Sequence, residues 1–89
     1  MFEWDPEKER TNQAKHGVAF ADATEVFEDA RAITQADPHP REKRLVTLGL
    51  DALGRLLVVC WTSRGSDRVR IISARKATRS ESRAYGKDG

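Results

Sequence analysis

Three apolar runs crowd into residues 45–71, and the segments joining them are too short to cross from one end of a sheet to the other. In the first, 45–50, Val46, Leu48 and Leu50 share one face. Asp51-Ala52-Leu53-Gly54 then turns the chain, and Arg55 to Trp61 is apolar on both faces, as a central strand is. Thr62-Ser63-Arg64-Gly65-Ser66-Asp67 turns it again. Arg68-Val69-Arg70-Ile71 alternates strictly, which places Arg68 and Arg70 opposite Val69 and Ile71. Connections of this length demand antiparallel neighbours, so the middle of the chain must be a meander.

Helical signals flank the meander. Asp5-Pro6 is a helix entry, because Asp accepts an orphan N–H and Pro loses nothing at the first position. Glu7 and Glu9 in the first turn, Lys15 and His16 in the last, and Gly17 just beyond suit the dipole and a left-handed cap, giving a helix over about 6–16. It is almost wholly polar, so it must lie on the surface or face something charged. Phe20, Ala23, Val26 and Phe27 recur at helical spacing and predict a second helix over 20–29, with Ala19 a poor cap. Thr78-Arg79-Ser80-Glu81 has the form of a capping box and opens a last helix over 79–86. Phe2-Glu3-Trp4 reads as a short strand or anchored start, Ala32 to Gln35 as a short strand, and 37–43, with two prolines, as a loop. The order predicts an α+β fold: two N-terminal helices, an antiparallel sheet and a short C-terminal helix, with the helices on one face. At 89 residues, without a repeat or linker, the chain is read as one domain over 1–89.

Charge narrows the function. Residues 1–37 carry nine acids against four bases, net −5, and residues 38–89 carry twelve bases against five acids, net +7. Ten of the sixteen bases are Arg at or after position 31, and Arg offers a planar fork suited to phosphate. A basic half on a small domain is the footprint of a nucleic-acid binder; the plainer reading is solubility and pairing with the acidic half. One cysteine, Cys60, excludes an internal disulfide, and with His16 and His39 the only histidines a Cys/His zinc cluster is excluded. No apolar run approaches a membrane span and the opening residues do not resemble a signal peptide, so a cytoplasmic protein without a membrane partner is expected.

The residue types suited to chemistry gather late. Arg64 lies in the second turn, Arg68 and Arg70 on the return strand, Arg75 and Lys76 at its end, Arg79 in the first turn of the last helix and Tyr85 nearly two turns on. Strict alternation turns Arg75 away from Arg68 and Arg70, unless the strand twists or stops near Ala74. Metal-free RNA cleavage needs a group to take the 2′-hydroxyl proton, one to protonate the leaving oxygen, and fixed cations for the phosphoryl charge. His16, Glu81 and Tyr85 are the candidates for the proton transfers. Structural alternatives stand beside several of these residues: His16 as a helix C-terminal cation, Tyr85 as a core ring, and Arg68 and Arg70 as a solvated face. Trp4 and Trp61 read as core and Cys60 as an inert small hydrophobe. Clustered carboxylates for a two-metal site are missing from the basic half.

The sequence also resembles the BrnT family of type II toxins. Phe2-Glu3-Trp4-Asp5, Lys8, Asn12, Lys15-His16-Gly17-Val18 and Phe20 match the family's opening. Val26-Phe27, Asp29, Gly49, Trp61-Thr62, Arg64, Arg70-Ile71-Ile72-Ser73-Ala74-Arg75, Ala77, Glu81 and Tyr85 match its later part, and only the charged segment 36–44 finds no counterpart. The resemblance implies a RelE-like fold and a ribonuclease that arrests translation without a metal or other cofactor. It further implies a BrnA-type antitoxin, a ribbon-helix-helix DNA-binding protein that links the toxin to DNA indirectly. Carried over on the matched blocks are His16, Arg64, Arg70, Arg75, Glu81 and Tyr85 as catalytic candidates, with Lys15 among the RNA-binding ones. Arg68, Lys76 and Arg79 join the RNA-binding set from their position on the basic surface. A catalytically inactive homologue, or a small nucleic-acid- or protein-binding module, is the alternative.

Overall fold

The structure, a computed structural model, describes residues 1–38 and 43–86. The elements run β1 (Phe2–Glu3), α1 (Pro6–His16), α2 (Phe20–Ala23), a 3-10 helix (Thr24–Glu28), β2 (Ile33–Asp37), β3 (Arg44–Leu50), β4 (Leu56–Arg64), β5 (Arg68–Lys76) and α3 (Arg79–Gly86). One five-stranded sheet has the order β1-β5-β4-β3-β2. The meander β2 to β5 is antiparallel, as the short turns demand. β1 instead joins the edge parallel to β5, pairing Phe2 with Val69 and Glu3 with Arg70, so the sheet is mixed.

α1 has the predicted ends. The Asp5 carboxylate accepts the Glu7 N–H at 2.9 Å, and Gly17 closes the helix at φ 71°, where a Cβ is disfavoured. Its polarity is explained by its single buried residue, Asn12. β1 covers β5 only as far as Arg70, and Asn12 stands in for the missing strand beyond it. Its Oδ1 accepts the Ala74 N–H at 3.1 Å while its Nδ2 donates to the Ala74 carbonyl at 2.8 Å and to the Val18 carbonyl at 3.1 Å.

The second helix differs from its prediction. Regular α-helix stops at Ala23 and the chain tightens into 3-10 geometry through Glu28. The Thr24 hydroxyl donates to the Ala21 carbonyl at 2.7 Å, and a β-branched residue bonding back to the preceding turn disfavours continued α-helix. With no side-chain cap from Ala19, the Phe20 N–H is met instead by Glu9 of α1 at 3.3 Å. Val18, Phe20, Ala23 and Val26 seal one face of the sheet against Leu57, Val59, Ile71 and Ala74, with Trp4, Phe27 and Trp61 at the margin. Trp61 donates its indole N–H to the buried Thr47 hydroxyl at 2.8 Å, so both tryptophans serve the core side.

α3 corrects the expectation that all helices share one face. Its Glu81 and Ala84 lie over Ile33, Gln35, Val46, Leu48 and Val58, on the side opposite the core. One strand of the hairpin also exceeds its sequence pattern. β4 runs on to Arg64, which was expected in the turn, because ladder hydrogen bonds carry pairing past the end of apolar alternation, while β5 ends at Lys76 as expected. β2 reaches Asp37, and the rest of the expected 37–43 loop, residues 39–42, lies outside the described residues.

Candidate active site

The register of β4 and β5 decides which cations meet. Thr62, Cys60 and Val58 alternate regularly along β4 and share the face away from α1 and α2. Their partners on β5 are Arg70, Ser73 and Arg75, because a bulge beside Cys60 and Trp61 leaves Ile72 as an extra residue. One additional residue reverses the alternation beyond it. Arg75 therefore faces the same way as Arg68 and Arg70, against the strict-alternation expectation. Arg68, Arg70, Ser73 and Arg75 form a line along β5, with Arg64 directly opposite Arg68.

Three of these arginines converge on one carboxylate that sequence reasoning did not single out. Glu3 of β1 lies 3.1 Å from Arg70 Nη1, 3.4 Å from Arg68 Nη1 and 3.8 Å from Arg64 Nε. The cluster is reachable: the Arg64 and Arg68 side chains are 57% exposed and Arg70 33%. Placing like charges opposite each other costs stability, and Glu3 neutralises only one of the three. The result is a net +2 patch with unspent N–H donors, suited to a phosphate. The available signal in the sequence was the alternation Phe2-Glu3-Trp4, which turns a lone acid away from two aromatics that pack on Phe27 and Phe20.

The other candidates are placed elsewhere. Arg75 is held by Glu81 through two hydrogen bonds of 2.9 Å. Those bonds, outweighing burial and aided by the Thr78 N–H, hold the Glu81 carboxyl down at about 2. The same pair raises Arg75. Thr78 and Glu81 form the predicted capping box, the Glu81 N–H reaching the Thr78 hydroxyl at 3.2 Å. Tyr85 donates its hydroxyl to Asp29 at 2.6 Å; this bond pushes the phenol up and holds the Asp29 carboxyl down, helped by the Leu50 N–H. Tyr85 thus sits beside the β3–β4 turn. The hairpin carrying Arg64 and Arg68 lies at the other end of β5, roughly 26 Å away at strand rise. The structure does not bring Tyr85 to the arginine cluster. Lys76 and Arg79 are exposed at that same far end. Lys15 and His16 line an open depression between α1 and β5 with Lys8, Thr11, Ile72 and Ser73, flanking the arginine line. Among the described residues no three His, Cys, Asp or Glu side chains are grouped to hold a metal ion, and no helix is long and apolar enough to cross a membrane.

Fold and surface together define a small α+β protein with an arginine-lined sheet face. The chain belongs to the BrnT family, the ribonuclease toxins of type II toxin-antitoxin systems, whose model matches residues 4–81. Its structure is similar to the 1.1 Å crystal structure of the Brucella abortus ribonuclease toxin BrnT, at a TM-score of 0.67 and 29% identity over 89% of this chain and 99% of that one. No curated protein matches the chain.

Proposed function

We propose that the chain is an endoribonuclease that cuts RNA without a metal, by attack of a 2′-hydroxyl on the adjacent phosphate, and thereby blocks translation. The observation that carries this reading is the convergence of Arg64, Arg68 and Arg70 on an exposed sheet face, with Arg75 aligned on the same face by the Ile72 bulge. Guanidinium groups fixed on strands bind the phosphodiester and stabilise charge growing on its oxygens. DNA lacks the attacking hydroxyl and is not cut by this route. Lys15 and His16 flank the arginine line, and Lys76 and Arg79 extend positive charge to the far end for neighbouring phosphates. Glu81 and Tyr85 act from α3, securing Arg75 and the helix. The element order and mixed sheet support a RelE-like fold in one domain over residues 1–89.

The same face suits an acidic surface of a BrnA-type antitoxin, a ribbon-helix-helix protein that carries the complex to DNA. RNA as substrate places the action in the cytoplasm. Purified protein incubated with RNA in EDTA should cut it, and Arg70→Ala should slow cutting by about 10²-fold or more, as loss of one transition-state donor does. RNA left intact with and without ribosomes overturns the enzyme reading. One observation favours the alternative of an inactive homologue or binding module: Arg64, Arg68, Arg70 and Arg75 all have a carboxylate neighbour already. Expression in a bacterium without any antitoxin separates the two, since a binding module leaves growth untouched.

A further inference from the structure

We propose that Glu3 is the general base of the cleavage reaction, a role that rests on the ribonuclease reading above. A base must reach the 2′-hydroxyl while the neighbouring phosphate is held. Glu3 is the carboxylate in contact with Arg64, Arg68 and Arg70. Only its contact with Arg70 approaches the length of a strong charge-assisted bond; those to Arg68 and Arg64, at 3.4 and 3.8 Å, are loose. A carboxylate has about four acceptor directions, and Arg68 and Arg70 take two of them, which leaves room for a hydroxyl. Each guanidinium in turn has about five N–H groups, and most stay available to a phosphodiester. Phosphate and Glu3 thus share the same three cations. The ribose on the 3′-phosphate side presents its 2′-hydroxyl to the carboxylate.

The other proton carriers are less well placed. Both Glu81 oxygens are taken by Arg75 and one also by the Thr78 N–H. Tyr85 spends its hydroxyl on Asp29 at the opposite end of the sheet. His16 lies on the α1 flank, among Lys8, Lys15 and Ser73. In the proposed step the 2′ O–H bond breaks and its proton passes to a Glu3 carboxylate oxygen. The freed electron pair forms the bond to phosphorus, and the bond from phosphorus to the 5′-oxygen breaks. That oxygen takes a proton from water, and Glu3 returns its own to solvent.

The test compares wild type, Glu3→Gln and Glu3→Asp in two assays: single-turnover cutting of RNA, and affinity for the same RNA 2′-O-methylated throughout. Glu3→Gln should cut about 10²- to 10⁴-fold more slowly while binding as tightly or more tightly, since it removes a negative charge and keeps the side-chain length. Glu3→Asp should fall between. Cutting by Glu3→Gln within a few-fold of wild type overturns the proposal, as does a parallel loss of cutting and affinity, which would mean Glu3 only gathers the arginines. If Glu3→Gln fails to fold, Glu3→Asp decides by the same pair: slower cutting at unchanged affinity supports the role, and parallel loss overturns it. A wild type that binds RNA and never cuts it removes the ribonuclease reading, and this role with it; an active wild type with an equally active Glu3→Gln removes this role alone.

Discussion

Replacing Asn12 by Ala removes the group that stands in for a strand along the uncovered half of β5. The amide makes three hydrogen bonds to buried backbone, at 2.8 to 3.1 Å, from a residue only 7% exposed. Alanine leaves the Ala74 N–H and carbonyl and the Val18 carbonyl short of a partner, and each buried orphan costs about 1–3 kcal/mol. Taking the low end for all three, the variant loses about 3 kcal/mol, because water enters part of the vacated space. For a domain of this size that is a fall of about 12–24 °C in the unfolding midpoint. Asn12→Asp sharpens the test. It keeps the acceptor for Ala74 N–H but turns both donated bonds into contacts between a carboxylate and carbonyl oxygens, so the near-isosteric change should destabilise at least as much as alanine. Urea and thermal unfolding followed by circular dichroism measure both variants, and hydrogen exchange at the Ala74 amide reports the site directly. A loss below about 1 kcal/mol for Asn12→Ala, with Ala74 still protected, would refute the surrogate-strand account.

Glu81 is held at about 2 against an ordinary 4.5, so the folded protein binds this proton less readily than the unfolded chain. Its contribution is full above about pH 4.5 and drains away as pH falls toward 2. The unfolding midpoint should therefore drop across that window, and Glu81→Gln should flatten the drop; an unchanged slope contradicts the pairing with Arg75. A Cβ at Gly49 would lie 3.1 Å from Ala32 Cβ and 3.2 Å from Val26 Cβ and O, so Gly49→Ala should cost about 1–3 kcal/mol by denaturant titration. A variant as stable as wild type shows that the contact between the 3-10 helix and β3 yields freely.

Much of the fold was legible because its signals are local. The Asp5 cap, the Gly17 stop, the Thr78–Glu81 box and the turns at Asp51 and Gly65 each act within a few residues. The Asp51 turn is held by its own carboxylate: burial opposes ionisation, but the Arg55 and Leu53 N–H groups and the Arg55 guanidinium outweigh it and keep the acid below its usual range. What escaped the sequence involved partners far apart in the chain. Helical spacing over 20–29 could not show that Thr24 bonds back and tightens the turn. The polar α1 does lie on the surface, but its anchor, Asn12 paired with Ala74 sixty-two positions away, had no local signal.

The site divides in the same way. Which residues carry positive charge, and that Arg68 and Arg70 share a face, follow from the amino-acid order alone, since strand alternation is a property of neighbouring residues. That Arg75 joins them depends on a bulge, a mismatch between two strands that neither strand encodes by itself. That Tyr85 stands at the far end depends on which side of the sheet α3 chooses. That an acid from the negative N-terminal half enters the arginine cluster depends on β1 pairing parallel to β5. Long-range pairing costs chain entropy and is decided by the packed whole, so only the tertiary structure could put Glu3 among Arg64, Arg68 and Arg70.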